Sequence, residues 1–190
     1  METPDPQELA EAASDPFKTY CALLVSVLAM VLALNNLGGS NTGKEATMNN
    51  ILAANTYSFY QAKSVRQTEY KLAADRIEMQ LSTDKPNGTA KELLENKLAD
   101  YKKTIQRYDS EPETGEGKKE LLAKAKQLED ARDLSLRKDP WFDYAEGLLQ
   151  LAIVLTSVAI ITGRRAMFNV ALLLGLVGSL CTLNGYFLFY

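Results

Sequence analysis

Three long stretches of this chain contain no Asp, Glu, Lys or Arg, and apolar side chains dominate each of them. They cover residues 19–43 (25 residues), 147–163 (17 residues) and 166–190 (25 residues). A helix needs about 20 mostly apolar residues to cross the hydrocarbon core of a bilayer. The pattern therefore predicts three transmembrane helices, over 18–38, 140–163 and 166–190. Residues 1–17 form an acidic N-terminal tail (Glu2, Asp5, Glu8, Glu11 and Asp15), where a cleaved signal peptide needs basic residues. The first apolar run is thus read as a retained span.

Between the first and second spans, residues 39–139 read as a charged helical hairpin. Thr42 and Glu45 have capping-box spacing and predict a helix start, and nothing breaks the pattern until Lys85-Pro86-Asn87-Gly88, a turn signal. Thr89 and Glu92 form a second box. Leu94, Leu98, Tyr101, Ile105 and Tyr108 then follow the alternating four- and three-residue spacing of a coiled-coil seam. Ser110 to Gly117 interrupts it, and Leu121, Ala125 and Leu128 resume it. Asp139 and Pro140 look like the cap and first turn of the second membrane helix, with Trp141, Phe142 and Tyr144 at the membrane interface. An outgoing arm of about 40 residues spans roughly 60 Å at 1.5 Å per residue, and the two return pieces sum to the same length. The predicted fold class is an all-α membrane protein of three transmembrane helices, with a long coiled-coil-like helical hairpin inserted between the first and second.

Composition sharpens this picture. The 190 residues are 46% hydrophobic and 24% charged, averages that suit one soluble domain. Residues 44–146 nevertheless carry 37 charges in 103 residues, 18 positive and 19 negative, so the average describes neither part. With no histidine in the chain, His-based acid–base catalysis, Ser–His and Cys–His nucleophiles and His-ligated metals are excluded. No catalytic residue, metal ligand set or cofactor site is expected, and the protein is not read as an enzyme. The near-neutral insert makes nucleic acid an unsuitable partner. Arg164 and Arg165 lie in a very short loop between the second and third spans, where positive charge counts most for orientation. They favour a cytoplasmic N-terminus and a periplasmic insert, in the inner (cell) membrane of a bacterium.

The most unusual segment is Asn55-Thr-Tyr-Ser-Phe-Tyr-Gln-Ala-Lys-Ser-Val-Arg-Gln67. On a helix, Asn55, Phe59, Ala62 and Arg66 share one face, and Tyr60, Lys63 and Gln67 share the next, with Tyr57 and Gln61 alongside. Two uses fit: a helix–helix interface in which aromatics stack and amides fix register, or a recognition surface for a partner or an anionic ligand. Within the spans, Gln150, Asn169 and Asn184 are polar candidates for interhelical hydrogen bonds or a pore lining. Ala171, Gly175 and Ser179, with Gly178 beside them, make a stripe of small residues suited to close helix packing. Cys21 and Cys181 fall near opposite membrane faces, so a disulfide between them is not expected.

The segment from Asn55 to Gln67 resembles the Asn-x-Trp/Tyr-x-Phe-Tyr-Gln-Ala-Lys-Ser-x-Lys/Arg-Gln signature of a bacterial membrane family known as domain of unknown function 4337. The likeness continues in Phe142-Asp-Tyr-Ala-Glu-Gly-Leu-Leu-Gln-Leu-Ala-Ile-Val-Leu-Thr-Ser-Val-Ala159 and in Thr162-Gly-Arg-Arg165. The acidic N-terminal tail departs from the family pattern. The resemblance implies three spans with a helical insert and implies no activity. The functional expectation is a scaffold in the lipid bilayer that forms a homo-oligomer, or docks an unidentified protein partner, through its insert. The alternative expectation is a pore-forming or transport-accessory subunit.

Overall fold

The structure is a computed structural model that describes residues 16–189; the acidic segment before Pro16 and the last residue, Tyr190, lie outside the described residues. Four helices follow in order: α1 (Pro16–Thr83), α2 (Thr89–Asp109), α3 (Lys118–Thr162) and α4 (Arg165–Phe187). No strand occurs among the described residues. Three of these helices, α1, α3 and α4, carry windows long and apolar enough to cross a membrane. The described residues form two compact units. One joins the chain up to Ala46 with the chain from Asp133 onward, and the other is Thr47–Arg132.

In the first unit, the early part of α1, the later part of α3 and all of α4 pack side by side. Leu28, Leu149 and Ala152 form the buried centre, ringed by Leu24, Val31, Leu32, Ile153 and Leu174. The inward face of α4 is its small one: Ala171, Gly175, Gly178, Thr182 and Gly185 are buried at alternating four- and three-residue steps. Leu28 lies directly over Gly175, and Leu149 over Gly178. The large apolar residues of the same helix, Leu173, Leu176 and Leu180, face outward. Small residues inside and leucines outside suit a lipid solvent, in which association rests on close packing rather than on hydrophobic burial. Phe17 stacks on Phe168 at one end of this unit, while Asn35 bonds Thr182 at the other. Cys21 and Cys181 are accordingly at opposite ends, and both are free thiols.

In the second unit, the later part of α1 is the long spine. Ala53, Thr56, Lys63, Gln67, Ala74 and Ile77 are buried on it, with Tyr60 and Tyr70 half-buried between them. This is one face of a helix with hydrophobic-seam spacing. Leu94, Leu98, Tyr101, Ile105 and Tyr108, the expected seam of α2, are all half-buried while their neighbours on the outer side are exposed. On α3, Leu121 and Ala125 are buried and Leu128 is half-buried, again at the expected positions.

Three local expectations are corrected. Thr42 starts no helix: α1 runs without a break from Pro16 through Asn35-Asn36 and Gly38-Gly39, and Thr42 is buried inside it. Thr89 is the first residue of α2 rather than its cap; Gly88 holds the cap position and no side chain caps the helix. Pro140 opens no helix either, because α3 passes through it. Proline in a helix interior forgoes the bond to the carbonyl four residues back and crowds that carbonyl, at a cost of ~3 kcal/mol that the rest of α3 must offset. Pro140 sits on the exposed side of α3.

Candidate functional site

The segment singled out in the sequence lies on α1 in the Thr47–Arg132 unit, and the fold divides it by direction. Tyr57, Tyr60, Lys63 and Gln67 turn toward the returning chain, whereas Asn55, Phe59, Gln61 and Arg66 are exposed. Tyr60, Lys63 and Gln67 meet the connection between α2 and α3, where the return path changes helix.

Lys63 is the centre of that junction. Its side chain is 8% exposed, and its ammonium donates to the main-chain carbonyl of Glu116. The same nitrogen lies 3.5 Å from the Glu116 carboxylate and 4.0 Å from that of Glu111. It also sits over two aromatic faces, 5.3 Å from the centre of the Phe59 ring and 5.7 Å from that of Tyr108. A buried ammonium needs such partners, because desolvating an unpaired charge is costly. Lys63 thus binds the interrupted return arm to the continuous one.

Gln67, one turn further, completes the clasp from both ends of its amide. Its Nε2 donates to the carbonyl of Ile105 on α2 at 2.9 Å, and its Oε1 accepts from Lys118 on α3 at 3.0 Å. Lys118 in turn lies over the Tyr60 ring at 5.5 Å. One amide therefore fixes the last turn of α2 and the first of α3 against α1. Tyr70 packs edge-on against Tyr101 and is tilted against Tyr108, at 5.4 and 5.8 Å.

The connection is also closed on itself. Glu120, in the first turn of α3, accepts from the Ser110 hydroxyl at 2.6 Å and from the Glu111 N–H at 3.1 Å. These bonds favour the carboxylate, so its pKa lies below the usual value, with the Ser110 hydroxyl the largest cause. Gly117 makes the closure possible: a Cβ there would fall 2.1 Å from Glu120 Oε2 and 2.3 Å from the Glu111 nitrogen. Nearer the start of the unit, the Tyr57 hydroxyl donates to Glu129 at 3.1 Å, which holds the phenol pKa above its usual value. Arg132 donates to Asn50 at 3.3 Å.

The exposed half of the segment continues a different stripe. Ile51, Val65, Leu72 and Met79 follow one another at multiples of seven residues and are 50%, 60%, 56% and 65% exposed. Met48, Leu52 and Phe59 flank them, also exposed. This row neighbours the face of Asn55, Phe59, Ala62 and Arg66 and is not among the residues singled out in the sequence. The signal was its seven-residue recurrence.

The intramembrane candidates do not converge. Gln150 is exposed and donates to Glu146 one turn back on its own helix. Asn169 is exposed, and Asn184 is buried, accepting from the Phe189 N–H just past the end of α4. The buried polar side chains that hydrogen-bond from one of these helices to another are instead Asn35 and Thr182. Asn35 donates to the Phe142 carbonyl at 2.9 Å and accepts from Thr182 at 3.0 Å. Among the described residues, no three His, Cys, Asp or Glu side chains gather as a metal site would require.

No curated protein and no solved structure matches this chain. A family model does, over residues 17–188, nearly the whole length, and it takes in the Lys63 clasp, the Asn35 contact and all three apolar helices. The chain belongs to the DUF4337 family, a domain of unknown function.

Proposed function

We propose that this protein is a multi-pass scaffold of the bacterial cell membrane that assembles with further copies of itself, or docks a partner, through the outward face of α1 in its charged unit. The observation that carries the reading is the row Ile51, Val65, Leu72 and Met79, each at least half exposed on a helix whose opposite face is fully occupied. Isolated exposed apolar residues are ordinary, but a row repeating every seven residues is the pattern by which one helix packs along another. Clasps at Lys63 and Gln67 hold the return arms on the inner face, which leaves the outer row as a stiff, presented surface. In this reading the three apolar segments span the bilayer, the N-terminus is cytoplasmic and the charged unit is periplasmic.

Cysteine crosslinking in native membranes tests it. With Cys21 and Cys181 replaced by alanine, Val65→Cys should give a disulfide-linked dimer on mild oxidation, and Asp100→Cys, on the exposed side of α2, should not. No crosslink at residues 51, 65 or 72, together with a monomeric mass, contradicts the scaffold reading. Conductance in a reconstituted bilayer that changes on Gln150→Leu would favour the pore-forming alternative in its place.

A further inference from the structure

The loop between α3 and α4 combines an apolar groove with two unpaired cations, and the scaffold reading assigns it no ligand. The groove has a volume of about 560 Å³ and is lined by Leu155, Ala166, Met167 and Val170 together with Arg164 and Arg165. Both arginines are exposed, and among the described residues neither guanidinium has an ion pair or hydrogen bond. No acidic residue occurs anywhere in 147–190. Arg164 is the N-cap residue of α4 and makes no side-chain capping hydrogen bond.

We infer that this groove is a binding site for an anionic phospholipid, whose phosphate is held by Arg164 and Arg165 and whose acyl chain lies along Leu155, Met167 and Val170. The two halves of the site fit the two halves of that molecule. Guanidinium groups bind phosphate oxygens through paired N–H donors. The lining between them and the hydrocarbon region offers no polar partner, so a free phosphate would leave it unfilled. A loop between two membrane-crossing helices lies at headgroup depth, where each basic side chain strengthens attraction to an anionic leaflet. The inference rests on the apolar helices crossing the bilayer, and is independent of how copies associate.

Lipid retention on the full-length protein tests it. The protein is reconstituted with equal amounts of phosphatidylglycerol and phosphatidylcholine, extracted in mild detergent, and its bound lipid measured by native mass spectrometry. The wild type should retain the anionic lipid roughly thirtyfold over the zwitterionic one, given two basic groups at an anionic surface. R164Q/R165Q should abolish the preference, and Val170→Trp, which fills the groove and keeps both charges, should weaken retention. Circular dichroism shows whether each variant remains helical; if the double variant unfolds, Val170→Trp and the single R165Q carry the test. Equal retention of the two lipids by the wild type, a preference unchanged in the variants, or displacement by inorganic phosphate would each overturn the site. Failure of the protein to enter bilayers at all would instead contradict the membrane reading beneath it.

Discussion

The side-chain amide of Asn35 donates to the main-chain carbonyl of Phe142 at 2.9 Å, across 107 residues of sequence. Asn35 is 1% exposed, and its oxygen accepts from Thr182, so one side chain ties α1 to both of the other helices in its unit. Tyr186 adds a parallel tie by donating to the Leu34 carbonyl at 2.9 Å. Asn35→Ala leaves the Thr182 hydroxyl without that acceptor and is expected to destabilise the protein by about 1 kcal/mol. A double-mutant cycle with Thr182→Val, read by thermal unfolding in detergent, should give a coupling energy of about 0.6 kcal/mol, the average for interhelical hydrogen bonds in membranes. Additive effects would show that the pair does not interact.

Phe142 occupies a notch made by glycines. A Cβ at Gly38 would stand 2.6 Å from the Phe142 ring and 2.7 Å from the Tyr186 hydroxyl, and one at Gly185 would stand 2.9 Å from the same ring. The rings of Phe142 and Tyr186 meet edge-on at 5.1 Å. Gly38→Ala should therefore cost about 1–3 kcal/mol through overpacking, and Phe142→Ala about 3–5 kcal/mol through the cavity it leaves. Pairing Gly38→Ala with Phe142→Leu should recover part of the loss in the unfolding midpoint. No recovery would place the strain elsewhere.

Removing the Lys63 ammonium should loosen one place. Glu116 is largely exposed and can rehydrate, so Lys63→Met should cost only about 1–2 kcal/mol, less than a fully buried pair. The effect should appear as faster hydrogen exchange from Glu111 to Lys118, with the Leu24–Leu32 core unchanged. Uniform acceleration over the whole chain would contradict a local clasp.

The Glu120 closure has a defined pH sign. Its folded pKa is lowered by the Ser110 hydroxyl and the Glu111 N–H, so its contribution is present above the ordinary carboxylate value. It is lost as pH falls through the lowered folded value. Proteolysis at residues 111–117 should accelerate across that acidic window, and Glu120→Gln should flatten the dependence. An identical pH profile in the variant would assign the titration to another group.

Much of the fold was legible in the sequence, because hydropathy and turn chemistry act locally. The Pro86-Asn87-Gly88 turn and the Ser110–Gly117 interruption fall where the helices change, and the uncharged runs supply the apolar windows of α1, α3 and α4. What failed depended on partners distant in the chain. Asn35, Asn36, Gly38 and Gly39 look like a helix end, yet they stay helical because Asn35 finds Phe142 and Thr182 and because the glycines admit the Phe142 ring. Thr42 then has no free helix end to cap. The direction of Lys63 and Gln67 was hidden for a related reason. A charged residue on a highly charged helix reads as solvated, and only the carboxylates and carbonyls of the 105–118 return path make its burial favourable. The row Ile51, Val65, Leu72 and Met79 was open to a search for seven-residue recurrence, which polar Ser58 interrupts once.

Whether the outer row of α1 joins copies of this chain is read from the mass of the intact complex in lipid nanodiscs. The wild type should be a defined oligomer, and Val65→Glu with Leu72→Glu should dissociate it to monomer at unchanged helical content. A wild-type protein that is monomeric at every concentration, or an oligomer that survives both charges, would contradict it.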